Sequence, residues 1–316
     1  MSRSSAMQER SAPAPTSPAL GHIQPHRRVR FGTESVLGLS IAYREAGDPS
    51  LPKLVLLHGF PSSSHQYREL VPALATSFHV IAPDYPGFGE SDRPDPATWA
   101  YTFDHLAEVT AQFLAKKGFT RYGLFMQDYG GPVGMRLATA RPEAIEWTIV
   151  QNSNAYEVGF TAAWDGLRGA LWKARTPETE APLHAFLTPE AIRGIYLHGS
   201  PRPEFVSPDN WVADSAVMAR PHAVRINLDL FHDYRHNVGL YPAWQRFLRE
   251  RQPETLIFWG QQDLFFTPEG GEAYLADLPR AELHRLDGGH FAVEDHLEYI
   301  VARMKTFHAE RVAPRR

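Results

Sequence analysis

Residues 28–34 (RVRFGTE) and 39–45 (LSIAYRE) alternate apolar with polar positions on either side of Leu37-Gly38, which predicts an antiparallel hairpin at a sheet edge. KLVLLHGF (53–60) is an unbroken apolar run, as expected of a strand buried on both faces. From Ser64 to Thr76 the apolar residues take helical spacing (Tyr67, Leu70, Val71, Leu74), and HVIAPDY (79–85) reads as a second buried strand. A helix over 103–117 carries Phe103, Leu106, Val109, Phe113 and Leu114 on one face. IEWTIVQNS (145–153), TLIFWG (255–260) and AELHRLD (281–287) are predicted strands, and 269–278 and 292–309 predicted helices. Such alternation implies a mostly parallel central sheet flanked by helices, an α/β fold. Residues 155–245 break the rhythm: they are rich in Trp, Tyr, Pro and His and hold no convincing buried strand. They are expected to form an inserted helical lid, dividing the α/β core into 27–154 and 246–312.

The stretch 122–137, YGLFMQDYGGPVGMRL, opens apolar, meets a carboxylate at Asp128, turns through Gly130-Gly131 and becomes helical. This is the shape of a nucleophile elbow, in which a sharp strand-to-helix turn lifts one side chain above the sheet. The apex of such a turn is usually Ser; here it is Asp.

Composition narrows the function. The 316 residues are 43% hydrophobic and 22% charged with net charge −4, and the two signs are mixed along the chain. No basic patch points to nucleic acid and none to a membrane surface. With no cysteine, disulfides, thiolate metal sites and thiol nucleophiles are excluded. The 15 histidines are scattered without paired-ligand spacing, so no metal is expected. No apolar run approaches the roughly 20 residues of a spanning helix. Residues 1–26 are rich in Ser, Ala and Pro and are expected to be a disordered tail; they lack the apolar core of a signal peptide, so a cytoplasmic location is expected. Nothing sets the oligomeric state, and a homo-oligomer stays open.

Ligands of open parallel sheets bind beyond the carboxyl ends of the strands. Four such ends carry suggestive residues: His58-Gly59-Phe60-Pro61, Asp128-Tyr129-Gly130-Gly131, Asp263 in WGQQD, and His290 in DGGHF. Nucleophile, acid and histidine follow in the chain order of the α/β-hydrolase fold. Together HGFP, DYPGFGES, QDYGG, WGQQD and DGGH resemble the α/β-hydrolase superfamily over roughly residues 28–310, in the branch with an aspartate nucleophile that holds epoxide hydrolases and haloalkane dehalogenases. LDLFHDYRHNVGLYPAW (228–244) is also similar to the lid helix of soluble epoxide hydrolases, where a tyrosine points at the epoxide; Tyr234 is the matching position.

The resemblance implies a two-step reaction without a cofactor. A carboxylate, ionised near pH 7 (unperturbed pKa about 3.9), displaces a leaving group from sp³ carbon and becomes an ester of Asp128. His290, oriented by Asp263, then activates a water that attacks the ester carbonyl. Backbone N–H groups of Phe60 and Tyr129 are the expected oxyanion donors. Leaving-group chemistry divides the branch. Dehalogenases commonly hold halide with a Trp after the nucleophile and an Asn or a lid Trp; here Tyr129 and Phe60 stand at the first two positions, and lid Trp164 or Trp172 would have to serve. An epoxide oxygen needs a proton donor, and the lid offers Tyr156, Tyr196, Tyr234 and Tyr241, with Tyr234 leading and Tyr196 a further candidate for contact with substrate. An epoxide hydrolase-like enzyme on a small apolar substrate is therefore expected, with a haloalkane or haloacid dehalogenase as runner-up and a non-catalytic ligand-binding homologue as the rival of another class. His58 is expected to be structural, and Asp84 to Ser91 a structural turn.

Overall fold

The computed structural model describes residues 28–315; the tail expected over 1–26 lies outside them. Eight strands form one sheet: β1 (Arg30–Val36), β2 (Leu39–Ala46), β3 (Lys53–Leu57), β4 (His79–Pro83), β5 (Tyr122–Gln127), β6 (Ile145–Gln151), β7 (Glu254–Gly260) and β8 (Glu282–Leu286), in the order β1-β2-β4-β3-β5-β6-β7-β8. The hairpin β1–β2 is antiparallel, with Val36 opposite Leu39, and β2 also runs antiparallel to β4; every other pairing is parallel.

Period-two alternation explains the unbroken apolar runs. Val55, Leu57, Leu124, Met126, Val150, Ile257 and Trp259 pack on one side of the sheet. Leu54, Leu56, Phe125, Ile149, Leu256 and Phe258 pack on the other. Both faces are covered over the central strands, so β3, β4 and β5 read as nearly unbroken apolar runs, whereas the edge strands β1 and β8 are polar and partly exposed.

The helices of the core are α1 (Leu70–Leu74), α2 (Phe103–Lys116), α3 (Gly130–Ala140), α9 (Pro268–Asp277) and α10 (Ala292–Phe307). The helix expected from Ser64 to Thr76 is instead a 3₁₀ turn, Ser64–Tyr67, followed by the short α1. Pro72 explains the break, because it has no N–H to give to the carbonyl four residues back. Between β6 and β7 lie α4 (Pro177–Glu180), α5 (Pro189–Leu197), α6 (Asp209–Met218), α7 (Ala223–Asp233) and α8 (Arg235–Arg251). The boundary expected at 245/246 falls inside α8, which ends only where Gln252 turns left-handed (φ +46°) ahead of Pro253. Among the described residues no helix is long and apolar enough to cross a membrane.

Candidate active site

Parallel registry brings the ends of β3, β5, β6 and β7 to one edge, with Leu57 beside Met126, Gln127 beside Gln151, and Gln151 beside Phe258. Asp128, the residue after β5, sits at φ +48°. A non-glycine residue is uncommon there, and Asp is among those that tolerate it. The turn is tied at the backbone carbonyl of Asp128, which accepts from the N–H of Gly131 and the hydroxyl of Ser153, both at 2.9 Å. Two glycines make room. A Cβ on Gly130 would lie 2.1 Å from the carbonyl oxygen of Leu57, and one on Gly59 would lie 2.3 Å from Cβ of Asp128.

Close approach of Gly59 lets the next residue, Phe60, donate its N–H to Oδ1 of Asp128 at 2.7 Å. Oδ2 faces Nε2 of His290 at 3.8 Å. On the far side of the ring, Nδ1 of His290 meets both oxygens of Asp263 at 3.0 and 2.9 Å. Asp263 also accepts from the N–H of Phe265 and from the side-chain amide of Asn152, each at 2.8 Å. All of these carboxylates and the imidazole are buried.

Burial pushes the Asp128 carboxyl up to about 6, against the opposing pull of His290 and of the Phe60 and Tyr129 N–H groups. For His290, burial disfavours the cation, but the adjacent Asp263 carboxylate outweighs it and the net direction is upward. The arrangement is thus a buried carboxylate, a base beside it and an acid orienting the base. His58 accepts from the Tyr85 N–H at 3.2 Å and is driven down to about 3 by burial, so it sits as a neutral ring bracing the loop after β4.

Over Asp128 lies a narrow cavity lined by Phe60, Asp128, Tyr129, Ala163, Trp164, Leu167, Phe186, Phe231 and Phe265. Among the described residues that line it, Asp128 is the only charged one. Phe60, Tyr129 and Trp164 are therefore brought together with Asp128, Asp263 and His290, whereas the expected lid residues Trp172, Tyr196 and Tyr234 do not line the cavity. Trp172 lies behind the wall, and its indole N–H donates to the Phe231 carbonyl at 2.9 Å. The Trp164 N–H is likewise taken, by the Phe265 carbonyl at 2.9 Å. Tyr196 faces away from the cavity: its hydroxyl donates to Asp214 at 2.6 Å and its ring stacks on Phe291 at 4.0 Å. Tyr196 lies on α5 and Asp214 on α6, and the packing of these two helices claims that hydroxyl.

Tyr234 sits at the α7–α8 junction, fully buried, with its ring 4.5 Å from Trp164 and 6.4 Å from Tyr129. It is not a lining residue, yet its hydroxyl has no well-formed hydrogen bond, and neither do the hydroxyls of neighbouring Tyr241 and of Tyr129. Burial first, then Tyr241 and Asp128, pushes Tyr234 well above the usual tyrosine range, so it stays protonated. Tyr156 is spoken for by Asp277 at 2.8 Å. Sequence reading missed Asn152, Gln127 and the wall residues Phe186, Phe231 and Phe265. A polar QNSN run closing an apolar strand was the available signal for Asn152. Among the described residues no group of three or more His, Asp or Glu side chains could hold a metal ion.

Residues 52–297 match the family described as alpha/beta hydrolase fold. The uncharacterized hydrolase YNR064C of Saccharomyces cerevisiae is 38% identical over 276 residues, covering 86% of this chain and 94% of that protein. A haloalkane dehalogenase of Bradyrhizobium diazoefficiens is 31% identical over 294 residues, covering 84% and 89%. In structure, the haloalkane dehalogenase DbeA from Bradyrhizobium elkani superposes with a TM-score of 0.73 at 26% identity, covering 89% of this chain and 98% of that one. Fold, elbow and sequence agree: the chain belongs to the α/β-hydrolase family, among relatives that include haloalkane dehalogenases.

Proposed function

We propose that this hydrolase uses Asp128 as a nucleophile on small, uncharged, apolar molecules carrying a strained or activated carbon, with epoxides as the leading class. The observation that carries the reading is the division of labour at one carboxylate that lines the cavity: Oδ1 is held by the Phe60 N–H, and Oδ2 faces Nε2 of His290 at 3.8 Å. Oδ2 attacks an epoxide carbon, the carbon–oxygen bond breaks, and the leaving oxygen takes a proton from a tyrosine hydroxyl. His290 then removes a proton from water as it adds to Cγ of the ester. The oxyanion falls on Oδ1, against the Phe60 and Tyr129 N–H groups. Collapse releases the diol, restores Asp128, and the proton on His290 returns to the tyrosinate.

Leaving-group donors favour the epoxide. Tyr129 and Tyr234 have buried hydroxyls without a well-formed hydrogen bond, that of Tyr234 lying beside the Tyr241 hydroxyl, while the N–H groups of Trp164 and Trp172 are already donated to carbonyls. A haloalkane is the second reading, supported by the 31% identical dehalogenase. A haloacid fits poorly, since no cationic side chain lines the cavity to balance a second carboxylate beside Asp128.

The test is a panel of terminal and aryl epoxides with chloro- and bromoalkanes, assayed for diol and free halide. Diol formation, with an Asp128 ester trapped in His290→Gln and seen by intact mass, supports the reading. Halide without diol reverses the ranking, and undiminished turnover by Asp128→Asn removes the mechanism.

A further inference from the structure

Behind His290 runs a file of buried amides. The N–H of Gly59 donates to Oε1 of Gln66 at 3.3 Å, and Nε2 of Gln66 donates to Oε1 of Gln127 at 3.4 Å. Nε2 of Gln127 then faces Nε2 of His290 at 2.9 Å and the His290 carbonyl at 3.4 Å. Both ends of this file have a fixed polarity. A backbone N–H can only donate, so Gln66 must turn its oxygen to Gly59 and its nitrogen to Gln127. A backbone carbonyl can only accept, so Gln127 must turn its nitrogen to His290. With Asp263 accepting at Nδ1, the ring carries its proton there, and Nε2 is left as an acceptor.

We propose that Gln127 is a positioning residue for the second step: its amide N–H caps the Nε2 lone pair of His290, keeping the base unprotonated and aimed until water takes its place. Asp263 and Asp128 are the titratable groups that act on His290, and both favour its cation. Its remaining faces meet the rings of Phe265, Phe266 and Phe291 and the amide of Gln151, which donates to the His290 carbonyl at 2.9 Å. Gln127 is thus the group that opposes the two carboxylates, because a donor at Nε2 stabilises only the neutral ring. Its position before the nucleophile couples the base to the elbow itself.

This inference rests on the hydrolase reading for its purpose but not for its test. The ¹⁵N resonances of His290 are followed against pH in the full chain without substrate, identified by their loss in His290→Gln. The wild-type ring should show the Nδ1–H tautomer when neutral. In Gln127→Met the midpoint should rise by about one pH unit, the worth of one hydrogen bond, and in Gln127→Glu by more. The acid limb of ester breakdown should move by the same amount, with ester formation slowed less. Gln66→Met, one amide further away, should give the same sign with a smaller shift and serves should the Gln127 variants fail to fold. An Nε2–H tautomer in the wild type, or midpoints that do not rise, overturns the proposal. Failure to trap any ester in His290→Gln, with the titration as expected, would instead count against the hydrolase reading alone.

Discussion

The side-chain amide of Asn152 donates to Oδ2 of Asp263 at 2.8 Å, and that same oxygen faces Nδ1 of His290 at 2.9 Å. The amide oxygen of Asn152 accepts from the Gly260 N–H at 2.9 Å, so it binds the end of β6 to the loop that carries the acid. Asn152→Ala should free Asp263 to rotate and the imidazole with it. A hydrogen bond to a charged group is worth about 1.5–3 kcal/mol, or roughly 10- to 100-fold in rate. The loss should fall on ester hydrolysis, so the variant should accumulate the Asp128 ester under turnover, as read by intact mass.

Tyrosine and tryptophan variants separate the two leaving groups. Tyr234→Phe and Tyr129→Phe should lower diol formation by about 10²-fold or more where the hydroxyl is the proton donor. Trp172→Phe should change epoxide turnover by less than about threefold, since its N–H is engaged by a carbonyl and contributes packing only. The reverse pattern, measured by halide release, would mark a dehalogenase.

Asp128 makes a stability prediction with a definite sign. Its folded-state pKa, about 6, lies above the unfolded carboxylate value of about 3.9. A group raised in this way supports the fold below its unfolded pKa and loses that support as pH climbs through the folded value. At pH 8 the buried carboxylate then costs at most ~3 kcal/mol, less whatever charge His290 shares. Asp128→Asn should melt above the parent at pH 8, with the gap closing toward pH 4, as followed by calorimetry.

Activity should carry the opposite sign. In the proposed reaction Asp128 attacks as the carboxylate, and His290 activates water as the neutral ring. Single-turnover ester formation should therefore decline as pH falls through about 6. In the ester Asp128 carries no charge and only Asp263 still favours the His290 cation, so ester breakdown should show its own acid limb, distinct from that of formation. A quenched-flow comparison of the two steps against pH checks this separation.

What could be read from the chain and what could not divide along locality. Asp128, Asp263 and His290 each end an apolar run at a glycine- or glutamine-marked turn, and parallel strands must deliver such ends to one edge; those three were legible. The covered faces of the sheet were legible for the same reason. The fates of the lid indoles were not: Trp164 and Trp172 bind carbonyls 101 and 59 residues away, which no local pattern encodes. Nor can a glutamine in a buried strand declare its partner, so Gln127 drew no role from the sequence beside Asp128. The break at Pro72 was visible in principle, and helical spacing of the leucines concealed it.

The Phe60 N–H on Oδ1 makes the two oxygens of Asp128 inequivalent before any substrate arrives. In the proposed reaction Oδ2 alone is free to strike, and it must come from behind the departing atom. A stereogenic carbon attacked in this way is inverted. The following water adds to Cγ of Asp128 and never touches that carbon, so nothing restores its original handedness. The configuration of the product is therefore written in the first step, whatever the second step does.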